Sequence, residues 1–138
     1  MKAIVAIDDH DGYSRDGSIP WHDKGDLKWF KERTSGCNII MGGNTYRSLP
    51  KTFKLGNRRL WVLTRDETLW MIDDANITFT SIIGGLPTDA WVCGAYDTLL
   101  PYCSEVHFNI IPGDYQCDKK FPWDKVPADC KITCHVTI

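Results

Sequence analysis

The sequence predicts an α/β fold, a three-layer arrangement with a mostly parallel, twisted central sheet, helices on both faces and an antiparallel C-terminal edge. Three observations carry this. Residues 3–7, 37–41, 59–64 and 90–93 are short, continuous apolar runs of strand length, as in strands buried on both faces. Segments with helical spacing or helix caps separate them, the order that builds parallel sheets. Polar and glycine residues gather directly after the runs, at the carboxyl ends of strands where such sheets bind ligands.

Each element follows in order. Residues 3–7 (Ala3-Ile4-Val5-Ala6-Ile7) are the first buried strand, and residues 8–18, with Gly12 and Gly17, form a polar loop expected to be mobile. A helix opens behind Pro20-Trp21. Asp23 fits its N-cap, Asp26 lies in its first turn, Leu27 and Phe30 follow 3.6-residue spacing, and Gly36 stops it. Asp26 sits one turn before Phe30, so its carboxylate faces a wall of Trp21, Leu27 and Phe30. A carboxylate there resists ionisation and can hold or relay a proton; the plainer alternative is a helix cap.

The strand at 37–41 ends in Gly42-Gly43, and a short helix over 44–49 is stopped by Pro50. Glycines before a helix N-terminus form a natural anion site. Residues 51–57 are a loop, 59–64 a strand with Arg65 at its end, and 76–82 another strand. After the turn Gly84-Gly85-Leu86-Pro87, the strand at 90–93 ends in Gly94-Ala95, and a short helix runs to Leu100. A strand over 105–111, a polar loop over 113–120 and Phe121-Pro122-Trp123 follow. Residues 130–138 alternate, with Ile132, Cys134, Val136 and Ile138 on one face and Lys131, Thr133, His135 and Thr137 on the other. That pattern predicts an antiparallel edge strand whose polar face is wet.

Composition excludes several classes. A net charge of −2 with scattered Lys and Arg offers no basic field for nucleic acid. No apolar run has membrane-spanning length, and the apolar N-terminus is too short for a signal peptide, so a cytoplasmic single domain over 1–138 is expected. Of six cysteines, Cys37 and Cys93 fall in strand-like runs, and Cys130 and Cys134 share a strand face without zinc spacing; reduced structural thiols are expected over disulfides or a metal site.

Several fragments, in this order, resemble dihydrofolate reductase over nearly the whole chain. They are Pro20-Trp21, Asp26-Leu27, Trp29-Phe30-Lys31 and Thr34; Ile39-Ile40-Met41-Gly42 with Asn44-Thr45-Tyr46 and Ser48-Leu49; Leu55-Gly56 with Arg58; Val62-Leu63-Thr64-Arg65; and Cys93-Gly94-Ala95, Leu100-Pro101, Asp118 and Phe121-Pro122. The resemblance implies hydride transfer from NADPH to 7,8-dihydrofolate. It implies catalytic roles for Asp26 and Trp21, with Asp26 orienting the pterin and favouring protonation at N5. Substrate contacts are implied at Ile4, Val5, Ala6, Leu27, Phe30, Leu49, Arg58, Cys93 and Asn109, Arg58 holding the tail carboxylate; its alternative is a solvated loop arginine. Cofactor contacts are implied at Ala6, Ile7, Tyr13, Gly42, Gly43, Asn44, Thr45, Leu63, Thr64, Arg65, Gly94, Ala95 and Tyr96. The loop over 8–18, with Ile19, would close over the nicotinamide. The protein would act as a monomer or weak dimer on a small-molecule substrate, without metal, nucleic acid or membrane.

Departures from the family pattern sharpen these expectations. Gly43 stands where a cation usually grips the 2′-phosphate, which leaves Arg65, with Thr64 beside it, to supply that charge. The usual glycine pair is Gly94-Ala95, expected to be joined by a cis peptide, with a short deletion after it that blurs the placement of Tyr96. Asn109 replaces a threonine, and the C-terminus is shortened, leaving an edge exposed or paired with another chain. Two rivals are a pyrimidine reductase of riboflavin biosynthesis, which lacks a counterpart of Asp26 behind Pro20-Trp21, and a non-catalytic protein keeping the fold.

Overall fold

The computed structural model describes residues 1–135. Its main sheet has seven strands: β1 (Lys2–Ile7), β3 (Asn38–Gly42), β4 (Arg59–Leu63), β5 (Ile77–Thr80), β6 (Ala90–Val92), β7 (Glu105–Ile110) and β9 (Lys131–His135), ordered β5-β4-β3-β6-β1-β7-β9. Every pairing in it is parallel. Two short strands, β2 (Gly12–Ser14) and β8 (Lys119–Lys120), form a separate antiparallel ribbon. From β3 the chain builds outward through β4 and β5, then returns to insert β6 beside β1 before adding β7 and β9. The reversal falls at β1 and β6, and ligand crevices in such sheets open there.

Side-chain alternation sorts the core into two faces. Ala3, Val5, Ile7, Ile40, Val92 and Val106 point to one face and pack with Tyr96, Leu99 and Leu100 of α3 (Tyr96–Leu99) and the turn after it. Ile39, Met41, Leu60 and Val62 point to the other and pack with Tyr46 and Leu49 at α2 (Gly43–Ser48). The longest helix, α1 (Lys24–Thr34), lies on this second face, where its Asp26 meets Asn109 of β7. The three-layer α/β expectation is met, with helices on both faces.

The C-terminal edge departs from expectation twice. β9 runs parallel to β7, in register from Glu105↔Lys131 to Asn109↔His135. The segment after β7 brings the chain back to the sheet's amino end, where Lys131 N donates to Ser104 O at 3.0 Å, so a hairpin is not formed. The exposure is also inverted: Ile132 is 46% exposed and Cys134 is exposed, whereas Thr133 and His135 are half-buried on the α1 side. Packing under α1 outweighs polarity, because the His135 ring stacks on Trp29 at 5.0 Å. Val136, Thr137 and Ile138 lie outside the described residues.

The Gly94–Ala95 peptide is trans, since the described residues contain no cis bond. The chain turns there because Ala95 adopts a left-handed conformation (φ 53°, ψ 38°) as it caps α3. Gly94 is required by contact: a Cβ on it would lie 2.9 Å from Thr45 Oγ1.

Candidate active site

Asp26 is placed by its own helix start. Asp23 Oδ1 accepts from the Asp26 amide at 2.9 Å, capping α1. The Asp26 side chain turns to the sheet, where Asn109 Nδ2 donates to its Oδ1 at 3.1 Å. The cap therefore belongs to Asp23, and Asp26 is left for other work at 8% exposure. Trp21 is buried beside it; its indole N–H lies close enough to favour the carboxylate charge but forms no hydrogen bond of ordinary geometry. Burial pushes the Asp26 pKa above the usual carboxylate value; Asn109, Trp21 and the charge of His135 oppose the rise, and Asp23 adds to it.

The apolar surroundings differ from those expected. Leu27 is 62% exposed, whereas Trp29, absent from the expected site, is 5% exposed and packs inward. Phe30 is half-buried over Arg58, its ring 5.6 Å from the guanidinium carbon. Ala6 lies in register with Asn109 and packs in the cluster of Trp21, Ile111 and Cys117. Ile4 is fully buried on the same face, and Cys93 packs with Met41 and Val62. Burial pushes the Cys93 thiol up to about 12, so it is a neutral apolar group rather than a nucleophile. Val5 and Ile7 point to the opposite face, into the α3 core, and offer this site only backbone.

Arg58 is a buried cation. Its Nε donates to Leu55 O (2.8 Å), Nη1 to Thr34 Oγ1 (3.1 Å) and Nη2 to Lys54 O (2.7 Å). Phe30 and Phe53 flank the guanidinium. Burial lowers its pKa, and among the described residues no carboxylate pairs with it. Three of five N–H donors are engaged, leaving one on each terminal nitrogen for an anion. The solvated-arginine alternative does not describe this 6%-exposed side chain. Leu49 and Leu55 border a groove of about 460 Å3, with Tyr46, Phe53 and Ile77, that does not include Asp26.

Of the expected cofactor residues, Gly42, Gly43, Asn44, Thr45, Leu63, Thr64, Arg65, Gly94 and Ala95 gather at the ends of β3, β4 and β6, whereas Ala6 and Ile7 lie on β1 and Tyr13 on β2. A Cβ on Gly43 would sit 2.8 Å from Thr64 Oγ1 and 3.6 Å from Arg47 Nη1, so these two groups converge on the slot where the family places a cation. Arg47 Nη1 donates to Asn44 Oδ1 (3.0 Å), and its Nη2 pairs with Asp66. Thr64 Oγ1 accepts from Asp66 N at 3.0 Å. Arg65 is exposed and pairs with no acid among the described residues. Sequence reading missed Arg47; its place four residues after Gly43, on the same helical face, is the signal that finds it. Leu63 packs into the α3-side core, while Gly42 faces Ala95 across the cleft. Tyr96 is 5% exposed, with its hydroxyl donating to Ile4 O (2.8 Å) and its ring edge-on to Tyr13, so it has little surface to offer a ligand.

The loop over 8–18 is laced down rather than free. Asp9 N donates to Gly113 O and Gly113 N to Asp9 Oδ2; Asp16 N donates to Asp118 Oδ2, and Arg15 Nη1 to Tyr115 O. At its base, Asp8 is 1% exposed and accepts three backbone N–H groups.

The family model for dihydrofolate reductase matches residues 1–129. A dihydrofolate reductase of Mycoplasma pneumoniae is 28% identical over 141 residues, covering 94% of this chain and 87% of the relative. One from Bacillus subtilis is 29% identical over 134 residues, covering 88% of this chain and 75% of the relative. Dihydrofolate reductase from Enterococcus faecalis, solved with NADP(H) and RAB-propyl, shares the fold at a TM-score of 0.75 and 24% identity, over 88% of this chain and 76% of that one. The site therefore sits on a known framework, and this chain belongs to the dihydrofolate reductase family.

Proposed function

We propose that this chain reduces 7,8-dihydrofolate to tetrahydrofolate with NADPH, as a single domain over 1–138. The observation that carries the reading is Asp26: a buried carboxylate held by Asn109, on the cleft side of a family-matched helix. Neither rival explains it, since a scaffold has no use for a costly buried carboxylate. Asp26 pairs with the pterin edge and orients it, and its negative charge favours a proton on N5. Trp21, Ala6 and Phe30 exclude water around the rings. Arg58 offers its two remaining N–H groups to the tail carboxylate. Bound NADPH supplies the hydride. The donors at the strand ends, Asn44, Thr45, Thr64, Arg65 and Arg47, are the groups a phosphorylated dinucleotide needs, so the residues present fit it. In this reading the protein works in the cytoplasm as a monomer or weak dimer without nucleic-acid partners, the last supported by a net charge of −2 with scattered Lys and Arg. No helix among the described residues is long and apolar enough to cross a membrane. Following NADPH absorbance with dihydrofolate tests the reading, and no turnover overturns it.

Two variants probe the binding roles. Arg58→Lys keeps the charge but loses the paired donors, and its KM for dihydrofolate is expected to rise about tenfold with kcat moving less, a loss of ~1.4 kcal/mol. For the 2′-phosphate, Arg65 is joined by Arg47. Arg65→Ala and Arg47→Ala are each expected to lower the preference for NADPH over NADH, in kcat/KM, by roughly tenfold. An unchanged ratio in either variant removes that residue from the phosphate site.

A further inference from the structure

The inverted exposure of β9 leaves a ladder of polar residues beneath α1. Glu105, His107 and Asn109 of β7 face the helix beside Lys131, Thr133 and His135 of β9, rung by rung. On the lower rungs Glu105 takes Lys2 at 3.4 Å and His107 Nε2 at 3.3 Å, Arg33 acts on His107, and His107 Nδ1 is buried without a hydrogen bond. The upper rung is Asn109 beside His135, and Asn109 holds Asp26. His135 also stacks on Trp29, at 5.0 Å and 13° between planes, and Trp29 is three residues after Asp26 on α1. Two independent contacts thus bring one imidazole against the Asp26 site, from the neighbouring strand and from the same helix.

We propose that His135 is a positioning residue for dihydrofolate reduction, its imidazolium charge keeping Asp26 ionised while its ring fixes Trp29 and the first turns of α1. The inference rests on the dihydrofolate reductase reading and deepens it. The groups around Asp26 are few. From α1, Asp23 opposes ionisation; from β7, Asn109 donates to it; from β9, His135 favours the charge. From the loop, Trp21 favours it without a full hydrogen bond, and from α3 the buried Tyr96 feels the Asp26 charge. β1 contributes Ala6, which carries no charge. Among these residues His135 is the group able to carry a positive charge. A charge within a strand spacing or two of a buried carboxylate changes its ionisation constant by roughly tenfold.

The test separates charge from packing. His135→Phe keeps a flat ring for Trp29 without charge; His135→Lys keeps charge without the ring. The Asp26 titration is read in the ligand-free protein from its carboxylate infrared bands, assigned by difference against Asp26→Asn. His135→Phe is expected to raise the Asp26 midpoint by about one pH unit, and His135→Lys to keep it near the parent value. In the loaded enzyme, the pH profile of hydride transfer should shift by the same amount, with the dihydrofolate KM nearly constant. An Asp26 midpoint unmoved in His135→Phe overturns the proposal, as does an equal rise in both variants, which would assign the effect to packing. Absence of dihydrofolate turnover in the parent would instead defeat the underlying reading, while the ligand-free titration stands apart from it.

Discussion

Asp26→Asn is expected to lose roughly 10²- to 10⁴-fold in hydride transfer at neutral pH, the range that a positioned acid or base contributes. The amide is nearly isosteric, so no cavity opens and the loss reports charge. The deficit should narrow as pH falls, because solvent then supplies the proton that the carboxylate no longer favours at N5. Stability should move the other way. Burial raises the folded pKa of Asp26 above its unfolded value. Its contribution to stability is therefore fully present below the unfolded pKa and lost as pH rises through the raised folded value. At neutral pH the buried carboxylate costs stability, so Asp26→Asn should unfold at the same temperature as the parent or higher. A variant that keeps near-parent turnover at neutral pH removes Asp26 from the mechanism.

The opposite movement of rate and stability marks a site maintained for chemistry, and it shows which features sequence could reveal. Asp26 was legible because a lone acid at helical spacing among aromatics has few structural uses. The order of strands and helices was equally plain, because period and length depend on local burial. Long-range packing stayed hidden. Leu27 satisfies the apolar spacing of α1, yet Trp29 takes the inward place because β9 presents a flat imidazole to stack on. The alternation of β9 is plain in the sequence but its faces are inverted, since alternation says which residues share a face and not which face a helix will cover. Gly43 showed that a cation was missing. That Arg47 and Thr64 converge on its slot depends on how α2 sits against β4, which no local pattern encodes. Arg58 stands out in the sequence only through the family resemblance, because its partners are backbone carbonyls of its own loop and Thr34 on α1, contacts that leave no charge pattern in the chain.

The loop over 8–18 supplies the second large effect. Asp8→Ala is expected to cost on the order of 3 kcal/mol in folding stability and to slow turnover through the loop rather than through chemistry. The Asp8 carboxylate is 1% exposed, at the end of β1. Its Oδ1 accepts from His10 N at 2.9 Å and Gly12 N at 2.8 Å, and its Oδ2 from Tyr115 N at 3.1 Å. One side chain thereby ties the base of the loop to the segment that carries Asp118. Burial by itself would raise its pKa, but the hydrogen bonds from Tyr115, Gly12 and His10 outweigh it and leave the value below the ordinary one. A depressed folded pKa contributes stability that is present above the unfolded value near 3.8 and lost as pH falls through the folded value. Removing the carboxylate leaves up to three N–H groups to find other partners, each costing about 1–3 kcal/mol where water cannot reach. His10 is exposed and can turn to solvent, so two N–H groups are left and the total stays on the order of 3 kcal/mol. Asp8→Asn should cost less than alanine, since its oxygen can keep two of the bonds, but its NH2 would then confront Tyr115 N–H. Urea unfolding at pH 7 and at pH 3 checks the assignment: the gap between parent and Asp8→Ala should be wide at neutral pH and shrink in acid. A gap of constant width across that range would mean that packing around Gly12 and Cys117, and not the carboxylate, secures the loop.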